Sequence, residues 1–171
     1  MRKRFLLSLL VVLLTTLSTH AYDFQSGDLY YNVTSDTTVE VTYQEHSSST
    51  NYQGLTTVTI PETVTSYNGT TYSVTSIAYT AFVYCTSLTS ITIPNSVTRI
   101  GDFAFQDCRS LTSITIPNSV KHIGSCSFAD CNQLKDIYCY ATTPPVCYHD
   151  DTFTRVNEHC YVHVPAGTIP D

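Results

Sequence analysis

Cys85-Thr-Ser-Leu88-Thr-Ser-Ile91-Thr-Ile93-Pro94-Asn95-Ser96-Val97-Thr98-Arg99-Ile100-Gly101 returns one period on as Cys108-Arg-Ser-Leu111-Thr-Ser-Ile114-Thr-Ile116-Pro117-Asn118-Ser119-Val120-Lys121-His122-Ile123-Gly124. The step of twenty-three also carries Phe82 to Phe105 and Phe128, Leu88 to Leu111 and Leu134, Ile91 to Ile114 and Ile137, and Cys85 to Cys108 and Cys131. A fixed period of this length marks a solenoid of stacked coils. Residues one period apart then sit above one another, about 4.8 Å apart where neighbouring coils pair as parallel strands, so each set becomes a continuous apolar column. A lone coil cannot bury its own Leu, Ile and Phe, whereas stacked coils cover one another. Within each coil Leu-x-x-Ile-x-Ile alternates as a short strand, with Ile91 and Ile93 inward and Ser90 and Thr92 outward. Pro94 and Pro117 then end the strands.

Upstream, Leu55-Thr-Thr-Val58-Thr-Ile60-Pro61 repeats the strand pattern, but the distance from Leu55 to Leu88 exceeds one period by ten, so ten residues are inserted. They fall at about residues 66–74, where Asn68-Gly69 between Tyr67 and Tyr72 is a two-residue hairpin signal. The expectation is a β-hairpin projecting from the first coil. Residues 22–54 break the period. Two strand-like runs there, residues 29–33 and 38–43, flank the turn-forming Thr34-Ser35-Asp36-Thr37 and predict a hairpin cap, followed by a polar linker over residues 45–51. A solenoid needs such a cap, because a bare end exposes its columns and an unpaired strand edge. The fold class is therefore mainly β, with repeats over residues 55–139 and a C-terminal capping coil over residues 140–171.

The chain starts with Met1-Arg2-Lys3-Arg4 and an apolar run over residues 5–17, then Thr19-His20-Ala21. A basic start, a short apolar segment and small residues at a cut site make residues 1–21 a secretory signal peptide, cleaved after Ala21. The run is shorter than the roughly 20 residues a membrane span requires. No cysteine follows the cut to carry a lipid, so the expected location is secreted or cell surface. Three of the eight basic residues leave with this segment, and the remaining five face fourteen acids, a formal charge of −9. That sign repels nucleic acid and anionic membranes.

The pattern Leu-x-x-Ile-x-Ile-Pro-x-x-Val-x-x-Ile-Gly-x-x-Ala-Phe-x-x-Cys, with Ala81-Phe82, Ala104-Phe105, Gly101 and Gly124 in place, resembles the BspA-like leucine-rich repeats of bacterial surface proteins. The flanks share the resemblance: Asp23-Phe24, Tyr30-Tyr31-Asn32 and Thr37-Thr38-Val39-Glu40-Val41-Thr42 before the repeats, Pro144-Pro145 and Val164-Pro165-Ala166-Gly167 after them. The resemblance implies a leucine-rich-repeat solenoid, exported or displayed by host-associated bacteria, with some members acting as adhesins for host proteins or other bacteria. Longer relatives carry more repeats and often an anchoring segment, whereas this chain stops soon after Gly167. The last full repeat departs from the pattern, with Cys126-Ser127 before Phe128.

Seven cysteines in an exported chain invite a disulfide reading. Cys85, Cys108 and Cys131 belong to the apolar columns, where a free thiol packs as a small hydrophobe. Cys147 and Cys160 flank the final loop and are the candidate bridge, with Cys126 and Cys139 near the same end leaving other pairings open. Cys147, His149, His159, Cys160 and His163 supply zinc-type ligands but lack a tight Cys-x-x-Cys knuckle, so no metal is expected. Asp150-Asp151 beside His149 is the nearest approach to a base and carboxylate, in a loop with no nucleophile signature. No phosphate-cradling glycine loop occurs either. The reading is a non-enzyme without cofactors.

The strand pattern defines one ordered surface: Thr57 and Thr59, Ser90 and Thr92, Ser113 and Thr115, then Asp136 and Tyr138. A flat hydroxyl array of this kind can hydrogen-bond a peptide or a glycan, with Tyr138 as a stacking platform. The expected function is an exported binding or adhesion module whose partner is a host or bacterial surface protein or glycan. Two alternatives stand beside it: a shortened structural repeat protein with no ligand of its own, and a water-ordering, ice-binding Thr array.

Overall fold

The computed structural model describes residues 21–44, 52–147 and 149–166, so the expected signal peptide up to His20 and the expected linker at residues 45–51 lie outside the described residues. No helix occurs among the described residues. The described residues begin with an antiparallel meander of β1 (Phe24–Ser26), β2 (Leu29–Val33) and β3 (Thr38–Thr42). The expected hairpin is thus β2 and β3, extended by β1. Phe24 stacks on Tyr31 at 5.4 Å and on Tyr72 at 5.9 Å, which seats the meander on the core.

Beyond the meander each coil has three sides. The front side carries β4 (Thr57–Thr59), β7 (Ser90–Thr92), β9 (Ser113–Ile116), β11 (Asp136–Cys139) and β13 (Tyr161–His163). These strands run parallel as β4-β7 and β9-β11-β13, and the Thr112 N–H reaching the Thr89 carbonyl at 3.5 Å links the two groups. The back side is one sheet in which β3, β6 (Thr71–Ile77), β8 (Arg99–Ile100), β10 (His122–Ile123) and β12 (Val146–Cys147) are parallel neighbours. The third side is made of turns. Its coils are joined by N–H groups of Phe82, Phe105 and Phe128 donating to the carbonyls of Ala104, Ser127 and Thr152 at 2.7, 2.8 and 2.9 Å.

The insert forms a hairpin as expected, but with a turn longer than the two-residue Asn68-Gly69 one and in a different place in the fold. β5 (Thr63–Thr65) pairs antiparallel with β6 across residues 66–70, with Gly69 at φ 85°. The hairpin does not project, because β6 lies between β3 on one edge and β5 and β8 on the other. Tyr72, Val74 and Ile77 explain this: all three are buried, Ile77 after a register shift past Val74, so the strand must enter the core sheet. The inserted residues therefore join the cap to the repeats.

Stacking at this spacing constrains the turn side closely. A Cβ on Gly101 would stand 2.7 Å from the Ala78 backbone carbon, and one on Gly124 would stand 2.4 Å from the Asp102 nitrogen. Only glycine lets the coils approach there. Non-glycine residues with positive φ recur in register: Thr80, Phe103 and Cys126 at one step, then Tyr84, Asp107, Asp130 and Arg155 at another. The left-handed conformation is disfavoured for such residues, and three of them take part in ion pairs, Asp107 with Arg109 at 2.7 Å and Asp130 with Arg155 at 2.6 Å.

The core is the set of columns. Phe82, Phe105 and Phe128 are completely buried, with ring centroids 5.3 and 5.2 Å apart, and the stack continues to Tyr52 below at 4.9 Å and Phe153 above at 5.3 Å. Cys108 and Cys131 donate their thiols to the carbonyls of Phe82 and Phe105, each at 3.2 Å. Burial pushes the Cys131 thiol up to about 12, and a hydrogen bond with Cys85 together with burial raises Cys108 well above the usual thiol range, so both stay neutral. Replacing the central ring, Phe105→Ala, should cost about 3–5 kcal/mol in urea unfolding, and more than the same change at the half-buried Phe153. Equal costs at the two positions would show that the column is not a cooperative core.

Candidate binding face

The front strands place Thr57, Thr59, Ser90, Thr92, Ser113, Thr115, Asp136 and Tyr138 on one outward surface, because every strand buries its central residue, Val58, Ile91, Ile114 or Ile137. Parallel register sets Thr57 against Ser90, Ser113 against Asp136, and Thr115 against Tyr138. Three rungs offer hydroxyls and no charge. At the first rung a 390 Å³ cavity opens beside the meander, with Asp28, Tyr31, Thr57 and Thr59 among its lining residues.

The last rung was not legible in the repeat. β13 pairs with β11 and adds Tyr161 beside Asp136 and His163 beside Tyr138. The His163 ring stacks on Tyr138, with centroids 4.5 Å apart and planes at 13°, and its Nε2 lies 2.8 Å from the Asp136 Oδ1. Tyr161 is 64% exposed. The face thus runs from uncharged hydroxyls into an aromatic patch holding one carboxylate and one imidazole. The signal that could have found it is Phe153, which stacks on Phe128 although it lies two positions beyond a full period, and so announces a longer coil.

The same longer coil distributes the cysteines and histidines. Cys147 lies in β12 against Ile123 of the back sheet, while Cys160 packs on the core just before β13 of the front sheet. The two sheets face each other across the core, and the expected bridge between Cys147 and Cys160 is not formed; both thiols are free. His149 and His159 are exposed. Among the described residues no three His, Cys, Asp or Glu side chains converge as a metal site. The open end of this coil is an apolar cavity of 310 Å³, lined by Ile137, Cys139, Cys147, Phe153, Val162 and Val164 among others.

Asp151, two residues after His149, is occupied with structure. Its carboxylate accepts the Ser125 hydroxyl at 2.8 Å and the Cys126 N–H at 3.2 Å, while Asp102 of the preceding coil accepts the Ser125 N–H at 2.9 Å. The Ser125 hydrogen bond holds the Asp151 carboxyl below the usual aspartate range, with the Cys126 N–H adding to it. Its stabilising effect is therefore present above the unfolded-state pKa and lost as pH falls through the depressed folded value. Thermal unfolding from about pH 7 to about pH 2 should show a steeper loss of Tm for the native chain than for Asp151→Asn. Parallel curves would contradict this assignment.

A family model described as the BspA type leucine rich repeat region matches residues 69–155 in six copies. Among solved structures, a leucine-rich repeat protein from Bacteroides capillosus superimposes with a TM-score of 0.70 at 29% identity, covering 86% of this chain and 99% of that one. A leucine-rich repeat protein from Bacteroides ovatus gives 0.62 at 34% identity, over 84% of this chain and 37% of that one. A leucine rich cell surface protein from Faecalibacterium prausnitzii shares the fold, with a TM-score of 0.53 at 24% identity over 83% of this chain and 42% of its own. No curated protein matches the sequence.

Proposed function

The chain belongs to the BspA-type leucine-rich-repeat family, and from that premise we propose that it is an exported display module whose front strand face binds a surface protein or glycan. Repeats of this family form interaction modules, generally without catalysis. The observation that carries the reading is the continuous outward face from Thr57 to His163: flat, rigidly backed by buried Val and Ile, and ending in exposed aromatic rings. Hydroxyls on adjacent strands are pre-positioned, so little side-chain entropy is lost when a partner docks. Aromatic rings with polar tips are the residues that most often dominate such interfaces. The fold by itself specifies no ligand.

Export rests on the basic start and apolar run of residues 1–21. N-terminal sequencing of the protein recovered outside the cytoplasm should begin at Tyr22, and an intact Met1 would remove this part of the proposal.

For the face, a glycan array and a screen of host extracellular proteins should give saturable binding to at least one ligand. Thr92→Glu together with Thr115→Glu, both on exposed positions, should weaken it by about tenfold or more by placing two charges in the centre of the contact. Binding that survives both substitutions moves the site off this face. The absence of saturable binding in either screen leaves the structural-protein reading in its place.

A further inference from the structure

We propose that a polar notch on the back sheet, where the N-terminal meander joins the first coil, binds a single saccharide unit of a neutral glycan. Cross-strand register lines up Asn32, Glu40, Ser76 and Arg99 on β2, β3, β6 and β8. Ser76 is short and its two neighbours in the row are long, so it floors a gap whose walls are Glu40 and Arg99, roughly 10 Å apart by two strand spacings. The cavity there measures 420 Å³, and Tyr43, Tyr79 and Asp102 complete its walls. That volume lies within the range of about 300–1,000 Å³ typical of small-ligand sites, and junctions between structural units are a common place for them.

The chemistry of the lining selects the ligand. Two carboxylates against one guanidinium repel an anion, and an apolar ligand would desolvate Glu40 and Arg99 without giving either a partner. Among the described residues no ion pair joins Arg99 to Glu40 or to Asp102. A sugar meets each requirement at once. Its hydroxyls donate to Glu40 and Asp102 and accept from Arg99 and Asn32, while its C–H face lies on an aromatic ring. Tyr79 offers that ring: it is 58% exposed, and its edge contact with Phe103, at 5.6 Å and 76°, fixes its orientation. Burial raises the Tyr43 hydroxyl above its usual range, with Tyr79 and Glu40 adding to the effect, which keeps it a donor. The pocket faces away from the front strands and stands independently of the docking face proposed above.

Saturation-transfer NMR with glucose, galactose, mannose and N-acetylglucosamine on the exported chain tests the site. At least one sugar should give transfer with a Kd on the order of millimolar, weakened about tenfold or more by Tyr79→Ala and by Arg99→Ala. The pair Thr92→Glu and Thr115→Glu should leave it unchanged, which separates this site from the front face. Tyr79 is exposed enough that its variant should fold, and circular dichroism checks this. Should Arg99→Ala fail to fold, Tyr79→Ala alone decides. No transfer from any of the four sugars, transfer unaffected by Tyr79→Ala, or a response only to the zwitterion glycine would overturn the proposal.

Discussion

Each coil depends on the column of rings that runs from Tyr52 through Phe82, Phe105 and Phe128 to Phe153. Centroid steps of 4.9 to 5.3 Å lie close to the spacing of parallel strands, so the rings and the backbone ladders impose the same rise. That shared rise brings the turn side close enough to require Gly101 and Gly124 and to hold a repeated set of left-handed residues. The hydrophobic gain is collective, since the faces of each ring are covered by the rings above and below it.

The two ends of the stack are handled differently. At the first coil, Tyr52 closes the column and donates its hydroxyl to the Thr42 carbonyl, and the meander covers what would otherwise be bare apolar surface. At the other end the described residues finish in the exposed strands β12 and β13 around an apolar cavity. The front face inherits this polarity. Its early rungs are backed by a closed core and present hydroxyls, and its last rung gathers Tyr138, Tyr161 and His163 beside the open end.

The regular step from coil to coil fixed which residues point inward. Ile91, Ile93, Leu111, Phe105 and their counterparts are buried because an apolar residue recurring at one period has nowhere else to go in a stack. The outward Ser and Thr of the front strands followed from simple alternation. The limits of that reading appear where the period changes. The final coil reaches Phe153 two positions late, so the repeat pattern leaves Tyr161 and His163 in a loop, whereas they form a fifth front rung. Cys147 and Cys160 looked like neighbours across a loop, yet they belong to opposite sides of the coil.

The sequence by itself determined the coil, its columns and the hydroxyl face, because these depend only on periodicity and local alternation, which one dimension records completely. It also marked a hairpin through Asn68-Gly69, although the turn that forms spans residues 66–70 and not two residues. Only the tertiary structure decided that β6 enters the back sheet and couples the meander to the repeats. Ser76 and Arg99 of the row stand one period apart, but Asn32 and Glu40 come from segments outside the period, and docking, not spacing, sets their register against Ser76.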